Sequence, residues 1–445
     1  MENTYWDTEI ETMSQDRLRA YQLARLSETV LRAYHGSVYY RRIMDEKGIH
    51  PHQVRYLEDL ERFPFLNKQI IRESQERQPP LGDLVAVSET EIVYTALSSG
   101  STGVPTASPF TRTDFDEWMD YEARLYWSTG MRPADRYVHA ISMSLFCGGP
   151  VVLGAQRLGA LTIHAGTLPA ERLLAIFSQF QPTCFSTTPT YAWHLGEVAQ
   201  QEGWDPRSDF AIRRIYVSGE PGGSIPATRR AIEELWGAQV FDKYGISDIF
   251  GACAGTCTEQ DGLHLAEDHV LAEVIEVGGT QPVPEGKPGE LVLTSLRKRA
   301  RPMIRFRTGD IVTITREPCR CGRTHLRLTG IYGRVDDMLV IKGVNVFPSD
   351  IESVLRDIKE LGGEYEIVIT REKHLDQVAL RVEAEAAPAA FPVIERQTQE
   401  RIKQKLGITV KVTAIPVGAL PRQEHKTRRV KDLRSEVWSQ PAYTL

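Results

Sequence analysis

The chain has 445 residues, enough for two to four domains at roughly 100–200 residues each and for a sizeable buried core. Charged residues make up 25% and hydrophobic residues 41%, an ordinary globular mix that needs no disulfide staples. The net charge of −6 gives no chain-wide basic surface, so neither nucleic acid nor an anionic membrane is an expected partner.

The first residues, Met1-Glu2-Asn3-Thr4-Tyr5-Trp6-Asp7, lack the basic and apolar regions of a secretory signal, and the expected location is the cytoplasm. Leu23, Leu26, Val30 and Tyr34 recur at helical spacing, with Ser14 as cap and Gly36 as stop. Ile92–Ala96 reads as a strand. The stretch from Gly148 to Gly166 is the best membrane candidate, but Gln156, Arg157 and His164 interrupt it. Leu161–Ala165, Thr183–Thr187, Arg214–Ser218 and Gln239–Phe241 read as strands. Glu171–Phe180, Tyr191–Gln201 and Ala227–Trp236 read as helices between them. This alternation predicts a parallel sheet whose ligands bind beyond the carboxyl ends of the strands.

The texture changes near Gly330–Asp337. Met338–Ile341 and Val344–Phe347 predict a hairpin, and Pro348 opens a helix through Ile358. Glu366–Thr370, Gln377–Val382 and Thr409–Ala414 read as strands, and Ile394–Lys405 as a helix. The expected fold is therefore α/β: a large N-terminal domain, residues 1–333, and a small α+β domain, residues 334–445.

Ser98-Ser99-Gly100-Ser101-Thr102-Gly103 follows the first strand. Its glycines allow backbone N–H groups to approach an anion, and its hydroxyls suit phosphate oxygens. An ordinary surface loop could have the same composition, and the Gly-Lys-Ser/Thr ending of a Walker loop is absent.

This stretch resembles the phosphate loop of adenylate-forming enzymes, and the chain as a whole resembles the phenylacetate–CoA ligase family. Thr106 stands where most of the superfamily has Lys, as in the phenylacetate branch. Asp242-Lys243-Tyr244-Gly245-Ile246-Ser247-Asp248 resembles the adenine and magnesium motif. Gly286-Lys287-Pro288-Gly289-Glu290-Leu291 and Arg305-Phe306-Arg307-Thr308-Gly309-Asp310 resemble the motifs leading to the ribose. Gly333-Arg334-Val335-Asp336 resembles the hinge, and Leu420-Pro421-Arg422-Gln423-Glu424-His425-Lys426 the C-terminal lysine motif.

The resemblance implies ATP, Mg²⁺ and CoA as cofactors and a carboxylic acid, most readily an aromatic one, as substrate. It implies that Ser98–Gly103 hold the β- and γ-phosphates and that Gly219-Glu220-Pro221, Asp242, Tyr244, Gly245 and Ser247 surround the adenine. Asp310 would accept from the ribose hydroxyls, Arg334 would approach the ribose or phosphates, and Asp248 would serve Mg²⁺. Lys426 would bridge the acid carboxylate and the α-phosphate. The small domain would rotate about Asp336 between half-reactions, and Lys342-Gly343 would then line the CoA tunnel. The acid pocket aligns with Ile141, Met143, Phe146, Cys147 and Gly148, where tyrosines usual at 141 and 143 are absent. Asp248 replaces the family's usual Glu, and His425 the usual Gly. A carrier-protein thiol or a nitrogen nucleophile as acceptor stays open, as does a homodimer. A nucleotide-binding regulator without catalysis is a further reading.

Four of the six cysteines fall in two close pairs. Cys257, His264, Cys319 and Cys321 offer three thiolates and one imidazole, a set that suits tetrahedral zinc, with Cys253 and His269 as substitutes. Reduced buried thiols are the alternative. Cys147 and Cys184 read as core.

Overall fold

The computed structural model describes residues 3–97, 105–142, 148–335, 339–341, 344–372, 375–421 and 429–433. An eleven-stranded sheet runs through the large domain. One half is parallel, in the spatial order Leu161–His164, Arg136–His139, Cys184–Thr187, Arg214–Ser218 and Gln239–Ile246. These are the apolar runs of the sequence, and most of their residues are buried on both faces, as parallel strands require. From Gln239–Ile246 the sheet continues antiparallel through Phe250–Thr256, Leu263–Leu265, Arg327–Arg334, Phe306–Thr315, Gly289–Ser295 and Val270–Ile275. The expected parallel sheet is thus half of a mixed one. The Gln239–Ile246 strand extends beyond its predicted end and carries the central motif.

Arg136–His139 sits between Leu161–His164 and Cys184–Thr187, so the strand order reverses there. Such a reversal opens a crevice at the carboxyl ends of the strands. The segment beginning at Ala140 leaves the sheet at that point.

Helices cover both faces. Ala170–Phe180, Pro189–Gln201 and Pro226–Trp236 bury Phe177, Leu195 and Trp236 against one side. Arg112–Ser128 and Val152–Leu158 bury Tyr126, Val152 and Ala155 against the other. The N-terminal helix Gln15–Gly36 follows the predicted register, with Leu26, Val30 and Ala33 buried. Gly36 ends it as expected, but a second constraint acts there: a Cβ would stand 2.1 Å from the Ala86 carbonyl oxygen.

The small domain has its own core. Its sheet orders Lys411–Pro416, Leu375–Ala384, Leu361–Glu372 and Val430–Asp432, covered by Pro348–Arg356 and Phe391–Leu406. The predicted hairpin is present as Leu339–Ile341 paired with Val344–Val346. Among the described residues no helix is long and apolar enough to cross a membrane.

Gly154 sets how closely its helix approaches Arg112–Ser128, because a Cβ there would lie 2.3 Å from Glu122 Cβ and 3.0 Å from backbone. Gly154→Ala should therefore cost about 1–3 kcal/mol through overpacking, read as a lower urea midpoint at unchanged slope. An unchanged midpoint would contradict that close approach.

Candidate active site

The site grows from one buried carboxylate. The Gln239–Ile246 strand pairs irregularly with Phe250–Thr256 around Gly245. A Cβ on Gly245 would meet the Gly251 oxygen at 1.9 Å, so glycine permits this close crossing. The turn beyond delivers Asp248, 2% exposed, to a ring of cations.

Lys68 Nζ bonds Asp248 Oδ2 at 2.9 Å, and Arg301 Nη2 reaches Oδ1 at 3.3 Å. Lys298 Nζ donates to the Asp248 carbonyl at 3.1 Å and to Ser108 Oγ at 2.6 Å. Thr106 Oγ1 lies 3.5 Å from Oδ1. Burial works against the Asp248 charge, yet Lys68 and Arg301 hold its carboxyl below the usual range. Lys68, Lys298 and Arg301 thus converge on Asp248. Its two oxygens face Lys68 and Arg301.

Each cation has a local cause. Leu66 forms a bridge beside Phe306, with Leu66 N–H donating to the Arg305 carbonyl at 2.9 Å. Asn67 Oδ1 caps the next helix by accepting from Ile70 N–H at 3.0 Å, so Lys68 is fixed as its first residue. Lys298 and Arg301 lie in the connection after the Gly289–Ser295 strand, and Arg301 is fully buried, donating to the Ala107 carbonyl. Sequence reasoning missed Lys68, Lys298 and Arg301. The run Arg297-Lys298-Arg299-Ala300-Arg301 was the available signal, because so dense a charge beside a buried strand needs partners.

A second cluster holds Asp310. Tyr244 OH donates to Oδ2 at 2.6 Å, and Arg334 Nη1 reaches Oδ1 at 3.3 Å. Gly309 has φ +75°, and its missing side chain lets Arg334 lie across it. Thr308 Oγ1 donates to the Leu291 carbonyl and accepts from Asp310 N–H, fixing the turn. Glu290 pairs with Arg307, which joins the two ribose-side motifs across neighbouring strands.

Asp242 forms a third point. Ser224 Oγ donates to its Oδ2, and a Cβ on Gly223 would stand 2.6 Å from its Cγ. Gly219, at φ +90°, turns the chain after Arg214–Ser218, and Glu220 accepts from Thr190 N–H at 2.7 Å. Ser247 immediately precedes Asp248. Ile141 and Gly148 approach each other at the crevice, 3.3 Å from Ile141 Cγ2 to a Cβ built on Gly148. Beneath it, His139 accepts or shares protons with Tyr137 and Ser186, and burial lowers its pKa to about 3.

Ser98, Ser99, Gly100, Ser101, Thr102, Gly103, Met143, Phe146, Cys147, Asp336, Lys342, Gly343 and Lys426 lie outside the described residues. The flanks of the first loop are nonetheless fixed, because Leu97 pairs with Ala107 and Thr106 reaches Asp248.

The thiol cluster is separate. Ligand atoms of Cys257, His264, Cys319 and Cys321 lie within 4.8 Å of one another. Cys257 Sγ is 3.9 Å from Cys319 Sγ, and Cys321 Sγ is 3.3 Å from His264 Nε2. Two thiolates on one tetrahedral zinc lie about 3.8 Å apart, so the donor set fits. The Cys257 thiol and the His264 ring push the Cys321 thiol well below its ordinary range. Tyr5 OH donates to the Cys321 carbonyl, and Glu11 pairs with Arg323, so the knuckle anchors the N-terminal segment. Neither substitute ligand joins it: Cys253 is buried beside Tyr121, and His269 faces Asp268 and Arg297. Cys184 is core, as expected.

Burial lifts the Asp242 carboxyl to about 7, with the Ser224 bond working against it. The folded state then holds this proton more tightly than an unfolded carboxyl does, so stability falls as pH rises between about 4 and 7. Asp242→Asn cannot ionise. Its stability relative to the unaltered protein should rise from pH 4 to pH 8 by roughly 4 kcal/mol at most, read from urea midpoints. A pH-independent difference would contradict the shift.

Comparison with known proteins identifies the family. The AMP-binding enzyme family matches residues 38–296, and the AMP-binding enzyme C-terminal domain matches residues 343–434. The chain is 37% identical to a phenylacetate-coenzyme A ligase of Thermus thermophilus, over 96% of this chain and 99% of that protein. It is 36% identical to the Escherichia coli protein of that name, over 96% and 98%. Among solved structures, 2-hydroxyisobutyryl-CoA ligase in its postadenylation state superposes with a TM-score of 0.93 at 35% identity, covering 98% of this chain and 94% of that one. The same ligase in its thioesterification state gives a TM-score of 0.74 at 36% identity, covering 97% and 93%. The chain belongs to the AMP-binding enzyme family, within its phenylacetate–coenzyme A ligase branch.

Proposed function

We propose that this protein is an AMP-forming acid–CoA ligase that activates a carboxylic acid as its acyl-adenylate and then transfers the acyl group to CoA. The observation that carries this reading is the convergence of Lys68, Lys298 and Arg301 on Asp248, beside Thr106. Asp310 and Asp242 lie in the motifs proposed to flank it on the nucleotide side. A triphosphate matches the cations, and a ribose can replace Tyr244 or Arg334 as hydrogen-bond donor to Asp310.

In the first half-reaction the acid carboxylate attacks the α-phosphorus of ATP and pyrophosphate leaves. Both reactants are anions, so positioning and charge neutralisation supply most of the acceleration. Lys68, Lys298 and Arg301 draw negative charge to the phosphate side, and Lys426 is the proposed bridge between carboxylate and α-phosphate. MgATP is the proposed substrate. In the second half-reaction the CoA thiolate attacks the acyl carbonyl and AMP leaves. The small domain, from residue 334 onward, turns about Asp336 to expose Lys342-Gly343 to the thiol.

Aryl acetates or substituted aryl acids are the proposed substrates, supported by the names of the relatives and by the apolar Ile141 and Met143. A small hydroxy acid, the type in the structural neighbour's name, is the competing arm of the test. Cys257, His264, Cys319 and Cys321 are proposed to hold a structural zinc ion, which would tie the knuckle to the N-terminal segment. Free thiols of this kind persist in a reducing compartment such as the cytoplasm.

A panel of acids with ATP should release pyrophosphate, and mass spectrometry should find a CoA thioester only when CoA is added. Acyl-AMP accumulating in the presence of CoA would instead favour a carrier-protein or amine acceptor. Lys426→Ala should lower acid-dependent pyrophosphate release by about 100-fold or more while ATP binding stays nearly intact. Wild-type rates in that variant would remove Lys426 from the mechanism. Protein purified without added metal should carry about one equivalent of zinc. Metal-free protein whose Cys257, Cys319 and Cys321 all react while folded would contradict the zinc site.

A further inference from the structure

We propose that Glu352 is the centre of a latch that holds the small domain in the adenylation arrangement, with Trp193, Thr228, Arg356 and Arg429 as its positioning residues; this rests on the acid–CoA ligase reading. Glu352 lies on the small-domain helix Pro348–Arg356 and is 4% exposed. Its Oε2 accepts from Tyr365 OH at 2.8 Å and from Arg429 Nη1 at 3.0 Å. Its Oε1 accepts from Arg356 Nη2 at 3.5 Å and from Thr228 Oγ1 at 3.3 Å. Thr228 belongs to the large domain, in the helix Pro226–Trp236, and is itself buried.

A second contact crosses the same boundary. The Arg356 guanidinium lies 4.7 Å from the centre of the Trp193 ring, on the large-domain helix Pro189–Gln201. A cation over an indole face is attracted by the ring quadrupole, and more strongly where water is partly excluded. Arg429 is also paired with Glu364, stacked 4.6 Å from the Tyr365 ring, and within electrostatic reach of Glu220 in the proposed adenine loop. One carboxylate therefore gathers two guanidinium groups and a phenol from the small domain and a hydroxyl from the large one. Removing a partner from so buried a charge is costly, which makes the contact set all-or-none rather than graded.

These contacts exist only while the two domains sit as they do here, the arrangement shared with the postadenylation form of the structural neighbour. Rotation to another arrangement must part Thr228 from Glu352 and Trp193 from Arg356. Arg429 follows Lys426 by three residues in the sequence, so the latch belongs to the same small domain as the proposed catalytic lysine. The latch thus serves the half-reaction that uses Lys426 and has no part in the one that uses CoA.

The test uses the full-length enzyme with substitutions on the large-domain side only: Thr228→Val, which keeps volume, and Trp193→Leu, singly and together. Acid-dependent ATP–pyrophosphate exchange reports the first half-reaction. Thioester formation from synthetic acyl-adenylate plus CoA reports the second. Exchange should fall about tenfold in the double variant, with the second step unchanged within about twofold, and Trp193→Phe should retain most of the exchange. Equal losses in both steps, or no loss in either, would overturn the latch. The unaltered enzyme, run alongside, carries the functional reading itself: no exchange with any acid contradicts that reading, whereas a missing split in an active enzyme contradicts the latch.

Discussion

The arrangement around Asp248 constrains everything else in the site. Lys68, Lys298 and Arg301 arrive from two distant parts of the chain and converge on one buried acidic residue. Like charges this close repel strongly wherever water is excluded, and one carboxylate offsets only part of that repulsion. The structure can tolerate the imbalance because much of the chain is built to hold it. The Leu66–Phe306 bridge sets the position of Lys68, the glycine crossing at Gly245 sets that of Asp248, and the paired strands Ile92–Leu97 and Ala107–Thr111 bring Thr106 and Ser108 beside them. Three converging cations are complementary to a polyanion, and the triphosphate of ATP is the polyanion proposed for them.

Seen from this centre, the remaining clusters have distinct jobs. Asp310 is clamped by Tyr244 and Arg334. Burial raises the Asp242 carboxyl to about 7, so near neutral pH a large share of it keeps its proton and can donate as well as accept. The thiol–imidazole knuckle lies apart and acts mechanically, since Tyr5, Glu11 and Thr324 tie the N-terminal segment to it. That segment leads into the helices that carry Lys68. The small domain contacts the large one through Glu352 and Thr228 and through Arg356 and Trp193.

Much of this was legible from the amino-acid sequence. Apolar runs marked the parallel strands, because a strand covered on both faces must be apolar throughout. Ordered motifs marked Asp242, Asp248, Asp310 and Arg334, and the spacing of Cys319 and Cys321 marked the knuckle. What was not legible is what depends on long-range pairing. Nothing near Lys68 in the chain shows that it meets Asp248, 180 residues away. The antiparallel half of the sheet was obscured for a related reason: Arg305, Arg307, Glu273 and Glu290 look like surface until Arg305 pairs with Glu273 and Arg307 with Glu290. The motif points to Asp248, but the contacts of Lys68 and Arg301 with it come from segments the motif does not include.

The central claim is that the Asp248 cations recognise the β- and γ-phosphates. Calorimetric binding of MgATP and of AMP to the unaltered enzyme and to Lys68→Ala tests it most directly. The account predicts that the unaltered enzyme prefers MgATP to AMP, and that Lys68→Ala loses most of that preference, about tenfold in MgATP affinity, with AMP affinity unchanged. Equal weakening of both nucleotides, or no change in either, would contradict it.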